Sequence, residues 1–329
     1  MKVLIMGGTG VISTHVRRLL EKYNNEVTVI NRGNKATESD SRARYIKADI
    51  NNIELLKEAL RGECFDVALD FIAFNTSDVL KRYELLKGKL RQYIFISSAT
   101  VYNVKSGTVT ETSPVGNDFN DYAQKKLECE RLLLKELNGP DFPITIVRPS
   151  HTYDSTRVPL GIHGKNGSWQ NVKRIIEGKS VIIHDSGEGL WAMLRSEDFA
   201  ALLYGIIGRT EAIGEIFHIA SEESLSWKRI YSIVADELDV PLNACYVPSE
   251  ILVKEGQEFN LGAKLFGDKA RSLIFNAEKI KRMAGEYHCM YSMEAGIRDS
   301  VRNVVNNAEF QKEDIVFDAW CDKIAKAYR

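Results

Sequence analysis

Six short apolar runs, KVLIM, EVTVI, ARYIK, DVALDF, QYIFIS and ITIVR, succeed one another through the first 150 residues, and helix-period segments such as VRRLLEKY, IELLKEAL and KKLECERLLLKEL separate them. This alternation constrains the fold more than any other feature of the chain. Strands joined through helices run parallel, and a parallel sheet buries both faces under those helices. The rhythm therefore predicts an α/β fold with a doubly wound parallel sheet over residues 1–150. A smaller mixed α/β unit over 151–329 is expected to hold the substrate and to return one strand, EIFHIA near 215–220, to the first unit. Ligands of such a sheet bind beyond the carboxyl ends of its strands, so candidate functional residues follow each apolar run.

After the first run stand Gly7, Gly8, Thr9 and Gly10, opening a helix at Val11 and Ile12. Gly7 permits a tight turn, Gly10 lets backbone approach a pyrophosphate, and the helix N-terminus offers unpaired N–H groups. Ser13 occupies the third small position, where it serves packing and can bond back to a helix carbonyl. After the second run come Asn31, Arg32 and Gly33. With no carboxylate there to hold the ribose hydroxyls of NAD, and an arginine suited to a 2′-phosphate, NADP is favoured over NAD as the alternative. Lys35 adds charge nearby or is plain surface. Asp49 is placed to accept from an adenine amino group with Ile50 against the ring; the alternative is a helix N-cap before NNIELLKEAL.

After the fifth run the chain reads SSATVY, and Tyr122-Ala123-Gln124-Lys125-Lys126 follows twenty-four residues beyond Ser98. Tyr122 and Lys126 share one helical face, so the ammonium can lower the phenol's pKa and let it exchange protons while Ser98 holds the substrate oxygen. The alternative is an ordinary ion pair between Lys126 and Glu130.

GGTG, SSATVY, YAQKK and VRPS together resemble the short-chain dehydrogenase/reductase superfamily, more closely its extended NAD-dependent epimerase/dehydratase branch, and HDSGEGLWAMLRSEDFA and EIFHIASEESLSW resemble that branch's later landmarks. The resemblance implies a Rossmann domain with Tyr122 and Lys126 catalytic and Ser98 assisting. It further implies that Phe71, Ile72 and Ala73 line the cofactor and that Pro149 and Ser150 lie beside its nicotinamide. Three departures stand out. Only seventeen residues, Asn75 to Arg91, join the fourth and fifth strand regions. Ala99 and Thr100 replace the Asp-Glu pair of the branch's dehydratases, which removes the acid and base for sugar dehydration. Trp191 stands where sugar-nucleotide epimerases place a phosphate-binding arginine, with Arg195 one turn away as its substitute. Thr100, His151, Trp191 and Arg195 are the substrate candidates, and a nucleotide sugar is a plausible substrate class.

Composition narrows the remaining classes. With 44 Lys+Arg against 45 Asp+Glu, no bulk field recruits nucleic acid or an anionic membrane. That balance and the Ser98, Tyr122, Lys126 set favour an NADP-dependent oxidoreductase or epimerase over the other class weighed, a non-catalytic relative of the chloroplast stem-loop RNA-binding proteins. Apolar runs are too short to span a bilayer, and no signal peptide is read, so a cytoplasmic location is expected. The five scattered cysteines suit a reducing compartment, and six dispersed histidines give no metal site. A homodimer is the assembly to test. STRVPLGIHGKNGSW reads as a solvated loop over the cleft, with His163 and Lys165 as weaker substrate contacts, and IVFDAWCDKIAKAYR as a docked helix.

Overall fold

The computed structural model describes residues 1–33, 41–285 and 289–328; Lys35 lies outside them. Seven parallel strands form one sheet in the spatial order Arg44–Lys47, Glu26–Asn31, Lys2–Met6, Phe65–Asp70, Leu90–Ile96, Ile144–Pro149 and Ile216–Ile219. The six apolar runs supply the first six strands of this sheet in chain order. EIFHIA supplies the seventh, pairing Ile216–Ile219 with Ile146–Pro149. Strand order reverses between Lys2–Met6 and Phe65–Asp70, and this switch point fixes where a ligand crevice opens.

Alternating side chains of the strands feed two cores. Val3 and Ile5 face Val16 and Leu20 of the helix Val11–Lys22 and Phe199 and Leu203 of the helix Ser196–Tyr204. Leu4 and Met6 belong to the opposite core, with Val79 and Leu85 of the helix Thr76–Leu86 and Cys129 of the helix Asp121–Leu132. The short connection between the fourth and fifth strands thus holds one complete helix, capped by Asn75, whose Oδ1 accepts from the Asp78 N–H at 2.9 Å.

The rest of the chain packs around the helices Trp169–Ile176, Trp227–Glu237 and Met293–Asn306, with Ile315–Tyr328 docked through Phe317, Trp320, Cys321 and Ile324. Ser226 caps the helix Trp227–Glu237, accepting from the Arg229 N–H at 3.2 Å. The strand Ser106–Val109, from the first half, pairs in parallel with Ser272–Phe275 near the other end of the chain.

The segment read as a solvated loop is a loop, but its middle is buried rather than solvated. Val158, Leu160 and Ile162 are buried, Asn171 Nδ2 donates to the Ile162 carbonyl at 2.6 Å, and Asn166 Nδ2 donates to the Glu313 carbonyl at 2.7 Å. The alternation of apolar with polar and glycine residues in RVPLGIHG carried that burial, and the glycines obscured it. Among the described residues no helix is long and apolar enough to cross a membrane, and no group of three or more His, Cys, Asp or Glu side chains is placed to hold a metal ion.

Candidate active site

A cleft of about 610 Å³ opens beyond the strand ends at the switch point. Gly7, Thr9, Gly10, Val11 and Ile12 form its glycine-rich side. Gly7 takes φ +88°, open to glycine, and a Cβ there would collide with Ile72 Cγ2. A Cβ on Gly8 would lie 2.7 Å from Val29 Cγ1. Backbone and sheet are therefore in direct contact, and the first turn of the helix Val11–Lys22 is left facing the cleft with N–H groups that have no intrahelical acceptor. Ser13 lines the cleft too, but its hydroxyl does not bond back to a helix carbonyl as expected. Ser13 Oγ accepts from the Gly10 N–H at 2.9 Å, fixing the turn from inside.

Asn31, Arg32, Asp49, Ile50, Phe71 and Ile72 complete the expected lining. Asn31 Oδ1 accepts from the Gly33 N–H at 2.9 Å, which leaves Nδ2 buried with no protein partner. Arg32 is exposed at the rim. Asp49 is not the helix cap: its Oδ1 accepts from the Asn51 N–H at 2.9 Å, and Asn52 caps the helix Ile53–Ala59. Ala73 is placed differently from its neighbours. It is fully buried, outside the lining, and contributes its carbonyl instead.

That carbonyl receives Lys126. Lys126 Nζ donates at 2.7 Å to the carbonyls of both Ala73 and Ile96 and lies 4.6 Å and 4.9 Å from the ring centres of Phe95 and Phe74. Burial lowers its pKa to about 8, partly opposed by the Asp70 charge. Glu130 does not pair with it; its carboxylate is bound by Arg148 Nη2 at 2.6 Å and by the Ser97 hydroxyl. The ammonium stands 5.8 Å from the ring centre of Tyr122, itself 41 % exposed. Here the expectation of a lowered phenol pKa is reversed. Burial of the ring's environment pushes the phenol up to about 12, while the ammonium donates to the two carbonyls instead.

Two residues that the sequence reading missed hold this arrangement. Asp70, wholly buried at the end of its strand, accepts from the N–H groups of Ile72 and Ala73 at 2.9 Å and from the Tyr93 hydroxyl at 2.7 Å, with Arg82 Nε at 3.3 Å. Arg82 Nη1 in turn donates to the Ile50 carbonyl, so one ion pair ties together both loops under the cleft. Phe74 lines the cleft while facing Lys126 and standing 6.2 Å from the Tyr122 ring. An aspartate closing DVALD, just where function was expected, was the available signal for the first.

A second pocket of about 210 Å³ adjoins the cleft, and Thr152 borders both. It gathers Ser98, Thr100, Pro149, Ser150, His151 and Trp191, which the sequence had marked, with Asp268, which it had not. Thr100 Oγ1 donates to Ser98 Oγ at 2.8 Å. Burial holds the His151 imidazole well below its ordinary pKa, with Lys269 and Arg157 adding to the effect. Arg195 is absent from this pocket. Its Nε and Nη2 donate to Glu197, at 3.1 and 2.8 Å, and its Nη1 to Asp299 at 2.9 Å, so its guanidinium is not directed at the pocket as expected. His163, bonded to the Gly164 carbonyl, lies outside both pockets, as does Lys165.

Residues 3–220 match the family described as NAD dependent epimerase/dehydratase. The chain belongs to that family. It is an enzyme of that family, as the epimerases and dehydratases among its relatives and structural neighbours bear out. Over 95 % of its length it is 28 % identical to the chloroplast stem-loop binding protein of 41 kDa b from Arabidopsis thaliana, covering 81 % of that protein. It is 21 % identical to 2'-dehydrokanamycin reductase from Streptomyces kanamyceticus, over 87 % of this chain and 80 % of the relative. Its fold matches the UDP-glucuronic acid 4-epimerase of Bacillus cereus, crystallised with UDP-glucuronic acid and NAD, at TM-score 0.71 and 20 % identity, covering 93 % of this chain and 99 % of the other.

Proposed function

We propose that this family member is an NADP-dependent oxidoreductase or epimerase acting at a hydroxyl or carbonyl carbon of a sugar-like ring. Residues 1–150 would bind the dinucleotide and 151–329 shape the substrate pocket. The observation that carries the reading is the meeting of the two cavities at Thr152, one framed by glycine backbone and a helix N-terminus, the other by hydroxyls and an imidazole. The glycine cradle and the partnerless Asn31 Nδ2 fit a dinucleotide, and Asn31 with Arg32 in place of a carboxylate supports the 2′-phosphate form. When bound, the nicotinamide accepts or supplies hydride. Ser98 would hold the reacting oxygen, and Tyr122 would exchange its proton. With its pKa near 12 the phenol carries a proton at neutral pH, which suits it to protonate a carbonyl oxygen during reduction. Lys126 would steady the neighbouring ribose as well as the loop it already holds.

Nucleotide sugars enter this reading because UDP-glucose and dTDP-glucose enzymes are among the similar proteins. The stem-loop binding relative keeps RNA binding open to test, but a formal net charge of -1 weighs against it. The deciding experiment titrates NADPH and NADH into the wild-type protein and Arg32→Ala, and assays Tyr122→Phe on any substrate found. Preference for NADPH that collapses in Arg32→Ala, with Tyr122→Phe inactive but still binding cofactor, is the expected result. Equal affinity for both cofactors in the wild type removes the NADP assignment, and full turnover by Tyr122→Phe removes the proton role.

A further inference from the structure

The smaller pocket differs in kind from a nucleotide-sugar site. Its volume, about 210 Å³, falls below the ~300–1,000 Å³ of pockets that enclose drug-sized ligands, and a nucleoside diphosphate sugar is larger than most of those. Among the described residues, no lysine or arginine lines it. Three cations on the segments that form its walls are committed to protein acceptors, and a fourth, Arg157, whose charge reaches His151, is exposed and outside the lining. Arg271 Nε and Nη1 donate to the carbonyls of Phe266 and Tyr102, Lys269 Nζ donates to Asp268 at 3.2 Å, and Arg195 holds Glu197 and Asp299. Within the lining itself, a pyrophosphate meets no cation.

What the pocket does offer is neutral hydrogen bonding with one carboxylate. Trp191 is 5 % exposed and its indole N–H has no protein acceptor, although its ring is stacked on Trp227 with centres 5.4 Å apart. Ser150 is 8 % exposed and its hydroxyl also has no partner. Buried indole N–H groups and hydroxyls ordinarily find partners, so these two point to a ligand that supplies acceptors. Asp268, against Lys269, supplies the complementary acceptor for ligand hydroxyls, and Ser98, Thr100 and His151 add groups that both donate and accept.

We propose that this pocket takes a compact, uncharged polyol, a single sugar or cyclitol ring carrying no nucleotide. The inference rests on the reading of the adjoining cleft as the dinucleotide site and narrows the substrate class at the same centre. Trp191, whose buried indole N–H faces no protein acceptor, is the residue that asks most plainly for a neutral hydrogen-bonding ligand.

The test uses the full chain saturated with NADPH, so that the larger cleft is filled, and follows binding calorimetrically with glucose, galactose, mannose, myo-inositol, UDP and UDP-glucose as probes. At least one free ring is expected to bind, UDP and UDP-glucose are expected to give no heat, and Asp268→Asn is expected to weaken the ring by about tenfold or more. NADPH affinity, measured separately by its fluorescence, should be the same in Asp268→Asn as in the wild type, which distinguishes a lost ligand from a lost fold. Binding of UDP or UDP-glucose, silence from all four free rings, or binding indifferent to Asp268→Asn overturns the proposal. Failure of NADPH itself to bind would instead strike the underlying reading of the cleft.

Discussion

Replacing Lys126 with methionine separates what its charge costs from what its contacts hold. The side chain is 1 % exposed, and burial brings the ammonium's pKa from the ordinary 10.5 to about 8. The charged form is therefore about 3 kcal/mol less favourable in the folded chain than in the unfolded one. Between pH 8 and 10.5 the unfolded chain binds more protons at this site, so the lysine's contribution to stability is poorest below pH 8 and improves as pH rises through that window. Lys126→Met abolishes the penalty and the slope together. It also leaves the Ala73 and Ile96 carbonyls without their donor, at ~1–3 kcal/mol each. The opposing effects largely cancel at neutral pH, for a net change between a gain of about 1 and a loss of about 3 kcal/mol. Urea denaturation of both proteins from neutral pH to 10.5 measures the difference. Wild type should gain up to about 3 kcal/mol relative to the variant across the window, while the variant binds NADPH more weakly. Stability curves that run parallel in pH would refute the reasoning, since they would mean that the buried amine titrates as an exposed one does.

Ser13→Ala should cost about 1 kcal/mol in denaturation, the worth of the bond to the Gly10 N–H, and leave NADPH affinity within a few-fold; a collapse of affinity would show that the hydroxyl meets phosphate directly. Asp70→Ala leaves Arg82 buried without its carboxylate and should cost ~3–5 kcal/mol. Because Asp70 also anchors the loop at Ile72 and Ala73, NADPH binding should fall in the folded fraction as well, a result that fluorescence titration below the unfolding midpoint can separate from lost stability.

The sheet was legible because its signal is repeated: six apolar runs with helices between them leave few ways to bury both faces. The cleft was legible for a related reason. Its residues sit at strand ends, where position along the chain translates directly into position in space, and Gly7, Asn31, Asp49 and Ile72 all follow apolar runs. Long-range pairing carried no such signal. Nothing around Asp268 in FGDKA marks it as a neighbour of Thr100, because the ladder between Ser106–Val109 and Ser272–Phe275 that forms part of the pocket's surroundings joins segments far apart in sequence. Arg195 was misplaced because Leu190–Trp191 and Met193–Arg195 are strands rather than one turn of a helix, and Glu197 and Asp299 claim its guanidinium. The phenol's pKa was misjudged similarly: helical spacing brings the Lys126 ammonium near Tyr122, but backbone carbonyls from two loops determine where it points.

The strand Ile216–Ile219 closes the sheet against Ile144–Pro149, yet the ribosome makes the two far apart in time. At ~5–20 residues per second, the intervening chain takes several seconds to emerge. Through that interval the nascent protein presents an open edge of isoleucine and valine, the kind of template on which two unfinished copies can pair with each other. The sequence places no proline or lysine within that edge before Pro149 to blunt it, only Arg148, which is destined for Glu130. Yield during synthesis should thus depend on how quickly residues 150–215 are delivered and on what shields the edge meanwhile, a vulnerability that ends once the seventh strand docks.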